Sequence, residues 1–439
     1  MRVVVVGAGM AGLAAAARLE AGGCTVEVVE AGSRLGGRAR TVRNRFVGEQ
    51  YVESGAEWVD THHHRMTELL ARHGMRLQGA GQTWTAVRRL FYRNGVLAHT
   101  ADVLHRVAEE LDSMEAALDT YTRLVPDPGR PHAVAEAAAL DQRTFAELAD
   151  ECGLGEVARL YHRRNSEGEF AEEPEGVSLL FVVQQRAQAR DAARAVDAPG
   201  PITAHRIEGG LDRLVAAMAS DLSSPPRLGE PVQAVIERPG HVEVVTAART
   251  VSADAVVLTC ALPALRAIRL DADVDPVLLD AIAELGYGTV TKTAVQFAGR
   301  QWAAGYATTD TVSQRIYEPT VDQPGEHGVL MAYTGGDGGR QVAALEDAAR
   351  LDTIEADIRA VHGIDAPRVG GFSRAWSTEP RFGGSYAVYR PGQVTAFWDV
   401  LRRPHGRVHL AGEHAATWTG YLEGAVESGQ MVAERLLLA

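Results

Sequence analysis

The sequence predicts an α/β fold: a nucleotide-binding domain interleaved with a second domain of mixed sheet and helices. Three observations point there. The first thirty residues spell strand, glycine turn, helix and strand. The 439 residues exceed the roughly 250–300 at which a single core stops growing. The hydrophobic pattern then switches from helical to strand spacing and back along the chain.

In order, the apolar run Val3 to Val6 reads as a strand, Ala11 to Ala21 as an Ala/Leu helix, and Thr25 to Val29 as a second strand. From about 62 to 195 the chain is rich in Ala, Leu, Glu and Arg, as in "VLHRVAEELDSMEAALDTY", and reads as a helical insertion broken at "VPDPGRP". "EGGLDRLVAAMA" predicts a turn into a helix, "EPVQAVIER" with "HVEVVTA" a hairpin, and "ADAVVLTCAL" a buried strand. A second excursion runs from about Gly286 to Arg390, and the terminal "RVHLAGEHAATWTGYLEGAVESGQMVAERLLL" reads as strand, loop and helix. The expected division is 1–75, 205–285 and 391–439 for the nucleotide-binding domain, with 76–204 and 286–390 for the substrate-binding domain.

Composition narrows the function classes. No apolar run approaches the ~18–20 residues needed to span a bilayer. A net charge of −13 without a basic block argues against nucleic acid or anionic membrane as a partner. Cys24, Cys152 and Cys260 are far apart and form no Cys-x-x-Cys pair, which fits reduced thiols. Only Met1 and Arg2 precede the first strand, so a cytoplasmic location is expected. The three histidines of "THHHRM" cannot all face one point on a helix or strand, so His62 to His64 are expected to be a polar loop, and no metal is expected.

Gly7-x-Gly9-x-x-Gly12 follows a strand and opens a helix, where bare backbone can approach a pyrophosphate and the helix N-terminus favours its charge. Glu30 ends the next strand, 18 residues after Gly12, where a carboxylate can bind ribose hydroxyls. This is a Rossmann-like dinucleotide site. Gly36-Gly37-Arg38 adds a second close backbone approach and a cation.

"GAGMAGLAAAARL", "VEVVEAGSRLGGRARTV" and the terminal "LAGEHAATWTGYLEGAVESGQMVAERLL" resemble the flavin-containing amine oxidases, a family that includes monoamine, polyamine and L-amino-acid oxidases. The resemblance implies FAD as cofactor, contacted also by Val232, Gly412, Glu413 and the helix starting near Leu422. It implies a small-molecule amine and O2 as partners, and it admits a homodimer. In the family two aromatic rings hold the amine before the flavin, and Tyr386 and Tyr421 stand in the matching contexts. Where monoamine oxidases carry the flavin-linking cysteine this chain has Ser385, so FAD is expected to be non-covalent. Lys292, in "GTVTKTAVQF", is the only lysine among the 44 Lys and Arg residues. The family's lysine here reaches toward flavin N5, usually through a water, and promotes electron transfer to O2.

"VESGAEWVD" resembles the segment lining the substrate side of the flavin. Where L-amino-acid oxidases place a carboxylate-binding arginine this chain has Trp58, which points to amines without an α-carboxylate, although Arg38, Arg65 or a residue elsewhere could supply the cation. Glu57 is either a reader of a distal ammonium or an Arg-paired carboxylate, and Trp418 completes the expected pocket. The activity implied is oxidation of an amine to an imine with formation of hydrogen peroxide. The rivals are an L-amino-acid oxidase, a desaturase or protoporphyrinogen-type oxidase, and a flavin-binding protein without turnover.

Overall fold

The computed structural model describes residues 1–79, 82–83, 89–195, 203–303 and 305–438. Its nucleotide-binding part is built on four parallel strands in the order Thr25–Val29, Arg2–Val6, Ala255–Leu258 and Val408–Leu410. These strands come from both ends and the middle of the chain. Their near-continuous valine runs suit a sheet covered on both faces. Val3, Val5 and Val257 pack into one cluster, Val4, Val6 and Val256 into another. The first helix, Met10–Ala21, lies against the last, Leu422–Leu438, and Gly429 makes their contact close, since a Cβ there would stand 2.3 Å from the Ala11 carbonyl oxygen.

The expected hairpin forms as Val232–Arg238 paired antiparallel with His241–Thr246, and the helix after "EGG" is Leu211–Ser220. A seven-stranded sheet makes the other layer, in the order Arg368–Ala375, Val290–Phe297, Gly328–Gly335, Arg315–Tyr317, Tyr306–Thr309, Arg89–Arg93 and Val96–His99. Every residue of Val290–Phe297 is buried. With side chains alternating, Val295 and Phe297 join Ile354 and Ile358 on one face, while Lys292 shares the other face with Ala294.

The helical stretch expected over 62–195 is corrected here. Helices do fill much of it, including Ala108–Arg123, Glu156–Glu169 and Leu179–Ala195. A hairpin, Arg89–Arg93 with Val96–His99, interrupts it and extends the seven-stranded sheet. The signal was the Asn94-Gly95 pair, whose φ values of 52° and 76° suit a two-residue hairpin turn. Residues 80–81 and 84–88 of that stretch lie outside the described residues.

Candidate active site

A single cavity of about 1090 Å³ runs from the Gly7 turn to the seven-stranded sheet, and every site residue expected from the sequence lines it except Gly12. Gly12 acts one layer behind: a Cβ there would stand 2.0 Å from the Gly7 carbonyl oxygen, so glycine is what lets helix meet strand. Gly9 caps the first helix without a side-chain hydrogen bond, and no acid sits in that helix's first turn, which suits a pyrophosphate. Gly36 and Gly37, at φ of 93° and 58°, bring a second backbone loop against it. The Glu30 carboxylate accepts from the amides of Ala8 at 2.8 Å and Gly32 at 2.7 Å, which fixes it at the cavity wall. Val232 lines the same end, and Leu422 lines the cavity where the last helix begins. These residues fit FAD: bare backbone for the phosphates, a fixed acid for the ribose, and an elongated cavity beyond.

Arg38 and Glu413 form a clamp. Arg38 donates to Glu413 at 2.7 Å and to the Ser385 carbonyl at 2.8 Å, while Glu413 accepts from the amides of Gly420 and Ala387. One ion pair thus ties the Gly36–Gly37 loop to the loops bearing both expected cage tyrosines. Gly412, at φ of 141°, leads the chain into it. The Ser385 hydroxyl donates to the Gly288 carbonyl at 2.8 Å.

At the reacting end, Lys292 Nζ has three donors and three acceptors: the carbonyls of Gly55 at 2.9 Å and Glu53 at 3.3 Å, and Glu57 Oε2 at 2.7 Å. A bridging water would have to replace one of these contacts, and the long one to Glu53 is the weakest. Glu57 is corrected from a candidate reader of substrate ammonium to an internally paired carboxylate, the second of the two alternatives. Its Oε1 accepts from Arg206 Nε at 2.6 Å and its Oε2 from the Tyr317 hydroxyl at 2.5 Å. Burial alone would raise its pKa, but Lys292 and Arg206 outweigh it and hold the carboxyl down to about 2. Four residues earlier, Glu53 is equally enclosed but forms no ion pair among the described residues, and burial pushes it up to about 7. Trp58 lies under the Arg206 guanidinium, 4.1 Å from ring centre to Cζ.

Tyr386 hydrogen-bonds through its hydroxyl to that of Tyr333 at 2.7 Å. The Tyr421 hydroxyl donates to the Glu169 carboxylate. Gly420 lets the two loops close, because a Cβ there would already stand 3.3 Å from the Tyr386 ring. Burial raises both phenols well above 10, so they are neutral hydrogen-bonding rings. Trp418 packs at 5.3 Å against Tyr421 and at 5.0 Å against each of His62 and His63. Those two histidines are therefore buried packing partners rather than a polar loop, and burial lowers both pKa values. Asp60 lines the cavity beside them, raised to about 7 by burial and by Glu169. Arg65 does not line the cavity.

Sequence reasoning missed Arg206, Tyr317, Tyr333, Glu169 and Arg315. Tyr333 had a readable signal only once strand pairing is known: it stands opposite Lys292 across the ladder.

The sequence pattern of the family described as "Flavin containing amine oxidoreductase" matches residues 10–437. An L-amino-acid oxidase of Mus musculus is 30% identical over 99% of this chain and 70% of its own length. One from Pseudechis australis is 26% identical over 100% and 87%. Among solved structures, cyclohexylamine oxidase from Brevibacterium oxydans IH-35A superposes with a TM-score of 0.88 at 24% identity, covering 100% of this chain and 98% of that one. Putrescine oxidase bound to putrescine gives 0.87 at 22%, covering all of both chains. At these identities the two structures share the fold. The match across residues 10–437 and the mouse relative together place the chain in the family of flavin-containing amine oxidoreductases.

Proposed function

We propose that the protein oxidises an amine to an imine, which water hydrolyses to a carbonyl compound and ammonia or an amine, while O2 is reduced to hydrogen peroxide. The supporting observation is the continuity of one cavity from the Gly7 and Gly36 backbone to Lys292, Tyr386 and Tyr421. FAD, held without a covalent bond, would supply the two-electron acceptor.

The chain's own contribution is positioning. Tyr386 and Tyr421 present aromatic faces to the amine and orient the carbon bearing the reacting hydrogen. Their hydroxyls are anchored on Tyr333 and Glu169, which limits ring motion. Trp58, Trp418 and the tyrosines line the chamber with aromatic surface that displaces water. Lys292 places a cation at the Gly55 turn, where negative charge forming on O2 is stabilised.

Anaerobic mixing of the holoenzyme with a panel of amines and amino acids tests this reading. Bleaching of the flavin absorbance by at least one of them is expected, and hydrogen peroxide on readmitting air. A flavin that no member reduces would leave a binding protein without turnover.

Ser385 offers no thiolate for a flavin thioether, so denaturation should release all yellow colour into the supernatant. Colour retained in the precipitated chain contradicts non-covalent binding.

The L-amino-acid oxidase reading keeps a specific support. Trp58 replaces the arginine expected of that group, but other arginines line the cavity, Arg89 and Arg315 among them.

A further inference from the structure

The strand Arg315–Tyr317 pairs antiparallel with Gly328–Gly335, setting Arg315 opposite Tyr333, whose hydroxyl meets that of Tyr386. Arg315 lines the cavity. Arg315 is half-buried, and the more deeply buried arginines here are neutralised: Arg206 clasps Glu57 at 2.6 Å and Arg164 clasps Glu167 at 2.5 Å. Among the described residues Arg315 makes no ion pair within 4.0 Å. Its Nη2 donates to the neutral amide of Asn165 at 2.9 Å, which orients the guanidinium without cancelling its charge. Its Nε is buried with no hydrogen-bond partner.

Such a group is costly to retain, because a charge partly withdrawn from water without a paired counter-ion loses solvation that no ion pair repays. The helix Glu156–Glu169 nevertheless makes room for it: a Cβ on Gly168 would stand 1.9 Å from Arg315 Nη1. Arg89 adds a second guanidinium over the same Tyr306 ring, each Cζ lying 5.9 Å from its centre. A carboxylate lines the cavity too, Glu169 bonded to Tyr421. The chamber thus offers a cationic group beside Tyr306 and an anionic one beside Tyr421. A ligand with an amine at one end and an acid at the other matches it.

We propose that Arg315 is the anion-binding residue of the substrate site, and that the substrate is an amine carrying a carboxylate. For the amine half this rests on the oxidation reading above; the carboxylate half stands on Arg315. The planar guanidinium fork matches a carboxylate through two parallel hydrogen bonds. Specificity for acid-bearing amines then arises from a strand of the seven-stranded sheet rather than from the Trp58 position.

The test is titration of the oxidised holoenzyme with benzoate and with benzamide, a pair differing in charge, followed by perturbation of the flavin spectrum. Benzoate is expected to bind about tenfold or more tightly than benzamide. That ratio should fall to about one in Arg315→Met and recover in part in Arg315→Lys. In Asn165→Asp, which keeps the side-chain shape and supplies an internal counter-ion, the ratio should also collapse with flavin content and Tm retained. Equal binding of the two ligands to the wild type, binding of neither, or a ratio unchanged by the substitutions overturns the proposal. A benzoate preference with no flavin reduction by any amine or amino acid removes only the oxidation reading. Reduction without that preference removes only the role of Arg315.

Discussion

In the Lys292→Met enzyme, reoxidation of the reduced cofactor by O2 is expected to slow by roughly 10²-fold, while its reduction by amine changes less than about threefold. The split follows from where the charge sits. The Lys292 ammonium is held by Gly55, Glu53 and Glu57 on a segment that lines the cavity. Together Lys292 and Arg206 bracket the single carboxylate of Glu57, so the cluster carries a net positive charge. A fixed cation helps the half-reaction in which negative charge develops on O2 and does little for removal of hydrogen from a neutral amine. Methionine leaves the Glu57–Arg206 pair intact, so the fold is expected to survive. Lys292→Arg should recover little, because a planar fork cannot address the same three acceptors as a compact ammonium. Stopped-flow measurement of the two half-reactions decides the matter. Equal slowing of both would make Lys292 a structural residue.

Glu57→Gln is expected to destabilise the protein by about 3–5 kcal/mol at neutral pH, because it leaves two buried cations without their shared counter-ion. With an unfolding entropy of about 2.1 cal/mol/K per residue, Tm falls by roughly 3–5 °C. The wild type should also show the pH signature of this carboxyl. Its folded-state pKa of about 2 lies below its ordinary 4.5, so the unfolded chain binds more protons between those values. The stabilisation is therefore fully present above pH 4.5 and is lost as pH falls towards 2, amounting to about 3 kcal/mol. In Glu57→Gln that acid-side loss should shrink by the same amount. Thermal unfolding at pH 7 and across about pH 2 to 5 checks both statements. An unchanged Tm at pH 7 would mean that Lys292 and Arg206 find other acceptors.

Much of the nucleotide end was legible because its requirements are local. Gly7, Gly9 and Gly12 must stand at fixed spacing between a strand and a helix, and Glu30 must end the next strand, whatever the rest of the chain does. The Asn94-Gly95 hairpin was legible too, but helical composition on both sides outweighed two residues of turn chemistry. Glu57 shows where reading by residue stops. Its segment was recognisable, yet its role depended on Arg206, Lys292 and Tyr317, which lie 149, 235 and 260 positions away in the chain.

The sequence by itself determined the α/β class, the dinucleotide turn, the single lysine and the two tyrosines in glycine-flanked loops, all properties of short segments. Only the tertiary structure decided which charges are spent on each other and which face the cavity. Glu57 is consumed by two cations, whereas Arg315 has no ion pair among the described residues and rests on the amide of Asn165 and the Tyr306 ring. The reason is physical: whether a buried charge is neutralised depends on groups within a few ångströms, and strand pairing brings those groups from anywhere in the chain.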